Sequence, residues 1–498
     1  MEYKLRTPKL LPLPKKAVWG GGFLEWEKAE FQIDDAGLPC GAFLTLERGD
    51  FDNPEAYRLR VSEDGILIVS ASDAGARAAL QTLRQIGMQA DSRGFRFVEM
   101  EDSPYIGARC FVLDISRGRV PTLADMRLLA DRLSLFKYNR LELRLGGAYP
   151  FEGREREWAG RGLFTPKKIA ALKKYCAALG IELSCGLDAS EFQYGSREIS
   201  EISANFDCAD FDVGSPDDAS ELCSACAELG KRPLCAAPDA GSQADFSAPA
   251  GAVPIFSASS EGFAEACAKA HSQKRAFFVS ANAGIGFWDD IGFFPRLDSA
   301  KAEIDAASNA AKKYGAEGFV LCAELSPYAP FAAVYPPLAR AAAKMWGGES
   351  SEEAECEALD SFAFYDASGD FARALCALGR IDGDGILECA FFGLGGDNAA
   401  FDTDDFEGAA DFAMGLAATS KPECRDASIL SAEIALAGAM ARRAVDVLRG
   451  RGKTAESGIA LKFLVSDFEN IWNARNETGG LWEASAKIRA TAPEIFKL

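Results

Sequence analysis

Several short apolar runs in the middle of this chain end on acidic residues. Asp114 closes the run 111–115, Asp188 follows 181–187, Asp217 and Asp218 follow 209–213, and Glu324 follows 318–323. Asp239 and Asn282 stand at comparable places after two further runs. Carboxyl groups gathered at one mouth suit glycoside chemistry. One acid protonates the leaving oxygen, and a second negative group steadies the charge that develops on the sugar. A strand-end aspartate can equally cap the helix that follows, and Asp217 or Asp218 before Leu222 has the right spacing for it.

To face one hollow, these residues need a parallel array of strands. Eight apolar runs follow Pro104 in order, at 111–115, 141–145, 181–187, 209–213, 233–236, 253–256, 276–280 and 318–323. Helical patterns separate them. Thr122 caps one, with Met126, Leu129, Leu133 and Phe136 on its inner face. Thr165 and Pro166 open another, and Gly180 ends it. Eight strand–helix units in this span predict a (β/α)8 barrel, with reacting groups at the C-terminal strand ends. The rival, a doubly wound open sheet, would want a glycine-rich phosphate turn after its first strand. The chain instead reads Asp114-Ile115-Ser116-Arg117 there.

Before the barrel, residues 1–103 read as a small α+β domain. Strands at 57–61 and 66–69 flank an Asp64-Gly65 turn, and a helix over 72–86 carries Ala76, Leu80, Leu83 and Ile86 on one face. The barrel occupies 104–348. From 349 to 498 the pattern is helical, with long amphipathic helices at 427–448 and 456–474 and a Gly/Asp-rich interruption at 379–405.

Bulk properties narrow the function. A formal net charge of −20 argues against nucleic acid or an anionic membrane as partner and permits a neutral sugar. No apolar stretch reaches the ~18 residues a spanning helix needs, and Met1 to Trp19 lacks the apolar core of a signal peptide, so a cytoplasmic location is expected. Fourteen cysteines then read as reduced, buried side chains, Cys223-x-x-Cys226 among them. His271 is the single histidine, which leaves little for histidine-ligated metals or histidine triads. No cofactor or metal is expected.

Much of the chain resembles glycoside hydrolase family 20. Leu10-Leu11-Pro12-Leu13-Pro14, Glu55-Ala56-Tyr57-Arg58-Leu59 and Ala79-Leu80-Gln81-Thr82-Leu83 are similar to that family's small N-terminal domain. Tyr105 to Pro121, reading Y-I-G-A-R-C-F-V-L-D-I-S-R-G-R-V-P, resembles the opening of its barrel and is the strongest signal. Lys137-Tyr138-Asn139 and Gly162-Leu163-Phe164-Thr165 continue the match in order. Ile471-Trp472-Asn473-Ala474-Arg475-Asn476 resembles the helical tail of some bacterial members. The resemblance implies a β-N-acetylhexosaminidase-like enzyme acting on terminal β-linked N-acetylhexosamine. Its mechanism would be substrate-assisted and retaining: the substrate's acetamido oxygen attacks the anomeric carbon, an Asp orients that group, and the adjacent Glu is the general acid. By the same resemblance Arg109 and Glu324 would bind sugar hydroxyls, Asp188 would support them, and the helical tail could pair subunits into a homodimer.

The catalytic motif departs from the family. Its strand-four Gly-x-Asp-Glu is here Gly214-Ser215-Pro216-Asp217-Asp218. Without a gap, Pro216 replaces the orienting Asp and Asp217 the Glu. With a one-residue insertion, Asp217 orients and Asp218 is an acid shorter by one methylene. A misplacement of about 1 Å can cost roughly 100-fold in rate, so impaired turnover is expected. Gly147 replaces an acid after strand two, and Ala236 and Cys322 replace tryptophans that wall the acetamido pocket. Two readings stay open beside the impaired hydrolase. One is an inactive relative kept as a sugar-binding or scaffold protein; the other is a different glycosidase specificity on the same barrel.

Overall fold

The computed structural model describes residues 7–116, 118–187, 194–214, 219–237, 246–285, 294–381, 387, 390–391, 402–452 and 454–490. Strands β1 (Lys16–Leu24), β2 (Leu44–Arg48), β3 (Tyr57–Ser62), β4 (Gly65–Ser70) and β5 (Phe95–Asp102) form one sheet in the order β1-β5-β3-β4-β2. Alternation in Tyr57-Arg58-Leu59-Arg60-Val61 buries Tyr57, Leu59 and Val61 on one face. The expected hairpin forms, with Ser62 opposite Gly65. Gly65 turns at φ +131, and a Cβ there would meet the Phe43 carbonyl oxygen at 2.3 Å. Helix α1 (Asp73–Met88) covers the sheet, capped by the Ser72 hydroxyl, which accepts from the amides of Ala74 and Gly75.

The eight expected parallel strands are present in order: β6 (Ala108–Asp114), β7 (Arg140–Arg144), β8 (Glu182–Gly186), β9 (Asp210–Asp212), β10 (Arg232–Ala236), β11 (Val253–Ser257), β12 (Phe278–Asn282) and β13 (Gly318–Glu324). They close into a barrel, β13 pairing with β6 from Gly318 opposite Ala108 to Glu324 opposite Asp114. Outer-ring helices include α2 (Leu123–Leu135), α3 (Pro166–Ala178), α4 (Ser196–Ser203), α5 (Ala219–Glu228), α6 (Phe263–Ser272), α7 (Leu297–Tyr314) and α8 (Tyr335–Trp346). Thr122 caps α2 by accepting from the Asp125 amide, and Pro166 opens α3.

The barrel interior is divided. Cys110, Val112, Leu234, Val253, Ile255, Phe278 and Val320 pack as an apolar cluster inside it. Leu141, Leu143, Leu183, Cys185 and Phe211 belong to the layer under the helices. By the two-residue period of a strand, Arg140, Glu142, Arg144, Ser184, Asp210 and Asp212 therefore point inward. Strands β7 to β9 thus fill their part of the lumen with charge.

Beyond Trp346 the chain is helical: α9 (Glu352–Leu359), α10 (Phe371–Leu378), α11 (Thr403–Thr419), α12 (Ala427–Leu448), α13 (Ala455–Arg475) and α14 (Leu481–Arg489). Most of the 379–405 interruption lies outside the described residues. This region is fastened to the barrel by buried ions. Arg475 contacts Asp125 at 2.8 Å, Asp426 at 2.9 Å and Glu433 at 3.2 Å, and Arg132 contacts Asp426 at 2.6 Å. The Thr122 amide donates to the Arg475 carbonyl and the Glu477 amide to that of Val120, which ties the tail to the loop after β6. Among the described residues, no helix is long and apolar enough to cross a membrane.

Candidate active site at the barrel mouth

Strand register places one row of side chains across the C-terminal ends of five neighbouring strands. Glu324 is opposite Asp114, Asp114 opposite Arg144, Arg144 opposite Gly186, and Gly186 opposite Asp212. Neighbouring strands lie roughly 4.8 Å apart, so this row arcs around about half of the rim. Gly186 is what lets its flanks meet. A Cβ there would lie 3.0 Å from Glu142 Oε1 and 3.1 Å from Asp212 Cβ. In the space it leaves, Arg144 Nη2 reaches Asp212 Oδ2 at 2.8 Å.

Asp212 has a second task. Its Oδ1 accepts from the Gly214 amide at 2.8 Å, fixing the start of the loop that carries Asp217 and Asp218 in sequence. The same turn recurs at two other strand ends. Asp114 Oδ1 accepts from the Ser116 amide and hydroxyl, and Asn282 Oδ1 accepts from the Gly284 amide. A short side chain bonded two residues on is a compact way to turn the backbone out of a strand. Asp212 is 1% exposed, so its two partners must satisfy its charge in place of water.

Glu142 lies one pleat below, 4.0 Å from Arg144 Nε. Burial, and then the neighbouring Asp212 carboxylate, push its carboxyl well above the usual range, so it holds a proton where exposed glutamates are ionised. Burial likewise pushes the Cys322 thiol up to about 12, leaving it neutral in the lumen. Arg161 contributes at the rim. It donates to the Ser116 carbonyl at 3.3 Å, and its Nη1 lies 2.7 Å from where a Gly147 side chain would begin. An arginine thus occupies the place beside Gly147.

Of the residues singled out in the sequence, Glu324 stands at the mouth, half-buried beside Asp114. Asp188, Asp217 and Asp218 lie outside the described residues. Arg109 requires correction: the structure does not bring it to the sugar-binding face. It pairs with Phe319, five residues before Glu324, which is roughly 16 Å down the strand. Cys110 and Val112 face the lumen, so by alternation Arg109 faces outward. There its donors are occupied by Glu55 at 2.9 and 2.5 Å and by the carbonyls of Lys137, Ile106 and Gly107. Its guanidinium also stacks over Trp346 at 4.9 Å. Close by, Asp102 accepts from Tyr57, Lys137 and Trp346. Arg109 therefore belongs to the joint between the N-terminal sheet and the closed end of the barrel. The cavity of about 460 Å³ beside it is at that same end. Among the described residues, no group of side chains could hold a metal ion.

Arg144, Glu142, Asp212 and Arg161 were not singled out by sequence. A signal for the first three was present: Arg140-x-Glu142-x-Arg144 and Asp210-x-Asp212 place charge at every second residue of strands covered on both faces. Such strands are otherwise continuously apolar, so alternate charge marks the lumenal side. Arg161 sits in a loop and carries no periodic signal.

The fold and mouth define a (β/α)8 barrel carrying a small α+β domain and a helical tail, and known proteins share that arrangement. Residues 8–103 match the model of glycosyl hydrolase family 20, domain 2. A β-hexosaminidase from Akkermansia muciniphila is 30% identical over 154 residues, which is 27% of this chain and 31% of that protein. The match therefore spans about a third of that relative's length. Among solved structures, the Streptomyces plicatus N-acetyl-β-hexosaminidase superposes with TM-score 0.56 at 16% identity, over 74% of this chain and 96% of its own. A family 20 exo-β-N-acetylglucosaminidase from Vibrio harveyi gives 0.55 at 14%, over 76% and 79%. At such identities the likeness is one of fold. The first domain of this chain is thus similar to domain 2 of family 20, and its barrel shares the fold of family 20 enzymes.

Proposed function

We propose that this protein is a glycosidase acting on terminal β-linked N-acetylhexosamine, retaining and substrate-assisted, with turnover below that of a family member with an intact Asp-Glu pair. The observation that carries this reading is the row Glu324–Asp114–Arg144–Asp212 at one barrel mouth, in a chain whose first domain matches the family. Relatives supply the substrate class. The Vibrio harveyi enzyme was solved with N-acetylglucosamine and the Streptomyces plicatus enzyme with Thio-NAglucal.

In this reading Asp217 orients the acetamido group and Asp218 gives its proton to the leaving oxygen. Water then opens the oxazolinium ion formed from the substrate's own acetamido group, with Asp218 as base. Glu324 accepts hydroxyl hydrogens, with Asp188 in support. Asp212, anchored by Arg144, sets where the Asp217–Asp218 loop begins. The shorter acid and the missing tryptophans weaken proton transfer and open the pocket to water.

A second reading, a non-hydrolysing sugar binder, is favoured by the same motif loss together with Glu324 kept at the mouth beside Asp114. Hydrolysis of a chromogenic β-N-acetylglucosaminide separates the two. The wild type is expected to release chromophore above blank and Asp218→Ala to lose at least about 100-fold of that rate. Equal rates for the two proteins, or a wild type at blank level, end the hydrolase reading for that substrate.

A further inference from the structure

Thirteen cysteines among the described residues are free, and two of them meet far from the barrel mouth. Cys356 on α9 and Cys376 on α10 bring their sulfurs to 3.4 Å, both buried. The pair is twenty residues apart in sequence, so joining it closes a loop between two helices that already pack together. The sulfurs are not sealed off. They line a surface groove with Leu297, Pro336 and Pro337, and Lys301 and Arg380 stand at its rim. Both cations are paired with Glu352 there. Cys356, whose proton is held by the Cys376 sulfur and by burial, is pushed well up. Cys376 is also the more exposed of the pair, 8% against 5%, so it is the sulfur a small disulfide meets first and Cys356 takes the resolving role.

We infer that Cys356 and Cys376 form an oxidisable dithiol, closed by exchange with a low-molecular-weight disulfide into a covalent staple between α9 and α10. The Cys376 thiolate attacks one sulfur of the small disulfide and expels the other half as a thiolate. Cys356 then loses its proton to solvent, attacks the Cys376 sulfur of the mixed disulfide and expels the second half. Two protein thiols are oxidised to one disulfide, and one small disulfide is reduced to two thiols. With the sulfurs 3.4 Å apart, closure needs a shift of a little over ~1 Å to reach the ~2.05 Å of a disulfide bond.

The full chain is incubated with glutathione disulfide at about pH 8, where exchange is fast. It is then alkylated under denaturing conditions and mapped by mass spectrometry without reduction. The expected result is a joined pair of peptides containing Cys356 and Cys376, lighter than their sum by two hydrogens and separated again by reductant. The melting temperature should rise by about 3 °C on oxidation. In Cys376→Ser neither the joined peptide nor the rise should form, while the reduced proteins melt alike. Recovery of Cys356 and Cys376 as separate alkylated or glutathione-bearing peptides, or a fall in melting temperature when the joined peptide forms, would overturn the inference.

Discussion

Replacing Arg475 with methionine is expected to destabilise the protein by about 3–5 kcal/mol, the loss that follows when one partner of a buried ion cluster is removed. The arginine is 1% exposed and bridges Asp125 beside the barrel to Asp426 and Glu433 of the helical region. Methionine fills much of the volume and leaves these carboxylates facing Arg132 and Arg119 alone, with too little positive charge. The denaturation midpoint of wild type against Arg475→Met measures this; a difference near zero would mean that the cluster is not a fastening. Acid should loosen the same joint. Burial pushes Asp426 up, but Arg132 and Arg475 more than offset it and hold its carboxyl at about 2. A folded value below the unfolded one, ~4, means that this contribution is complete above pH ~4. It disappears as pH falls toward 2. Asp426→Asn should therefore be less stable than wild type at neutral pH, and the gap should narrow across that acid window.

The second large effect is expected at Asp212. Asp212→Ala removes the counter-charge of Arg144 and the acceptor of the Gly214 amide together. If Asp217 and Asp218 act as proposed, turnover should fall by roughly 100-fold or more, mostly in kcat, because the loop that carries them in sequence loses its anchor at the strand end. Asp212→Asn keeps an oxygen for the Gly214 amide while losing the charge, and should recover part of that loss. If alanine and asparagine fall equally with a common drop in melting temperature, Asp212 only supports the fold. If alanine leaves kcat intact, the strand-four loop does not depend on it.

Much of the architecture could be read before any coordinates because its signals are local. The eight apolar runs, the Asp64-Gly65 turn, the Thr122 cap and Pro166 each act within a few residues, and the corresponding elements stand where expected. The helix at 427–448 has the bounds its periodicity indicates. What failed was orientation. Arg109 sits in the most family-like segment, yet which face and which end of β6 it occupies depends on where that strand begins. It begins at Ala108, three residues earlier than its apolar run suggests. That places Arg109 at the closed end with Glu55, a partner 54 positions away that local pattern cannot reveal. Arg144 and Asp212 were hidden for the same reason. Their meeting requires two strands flanking a glycine, and only the pairing register brings Gly186 between them. Glu324 was legible because a strand-end acid needs no partner to be placed at the mouth.

The central claim is that the mouth row receives an N-acetylhexosamine. The most direct test is the melting temperature of the protein titrated with N-acetylglucosamine thiazoline, a mimic of the cyclised acetamido intermediate. It requires binding to the folded state but no turnover. A saturable rise in the wild type that is absent in Glu324→Ala is the predicted result. A flat titration of wild type, or an equal rise in both proteins, would contradict it.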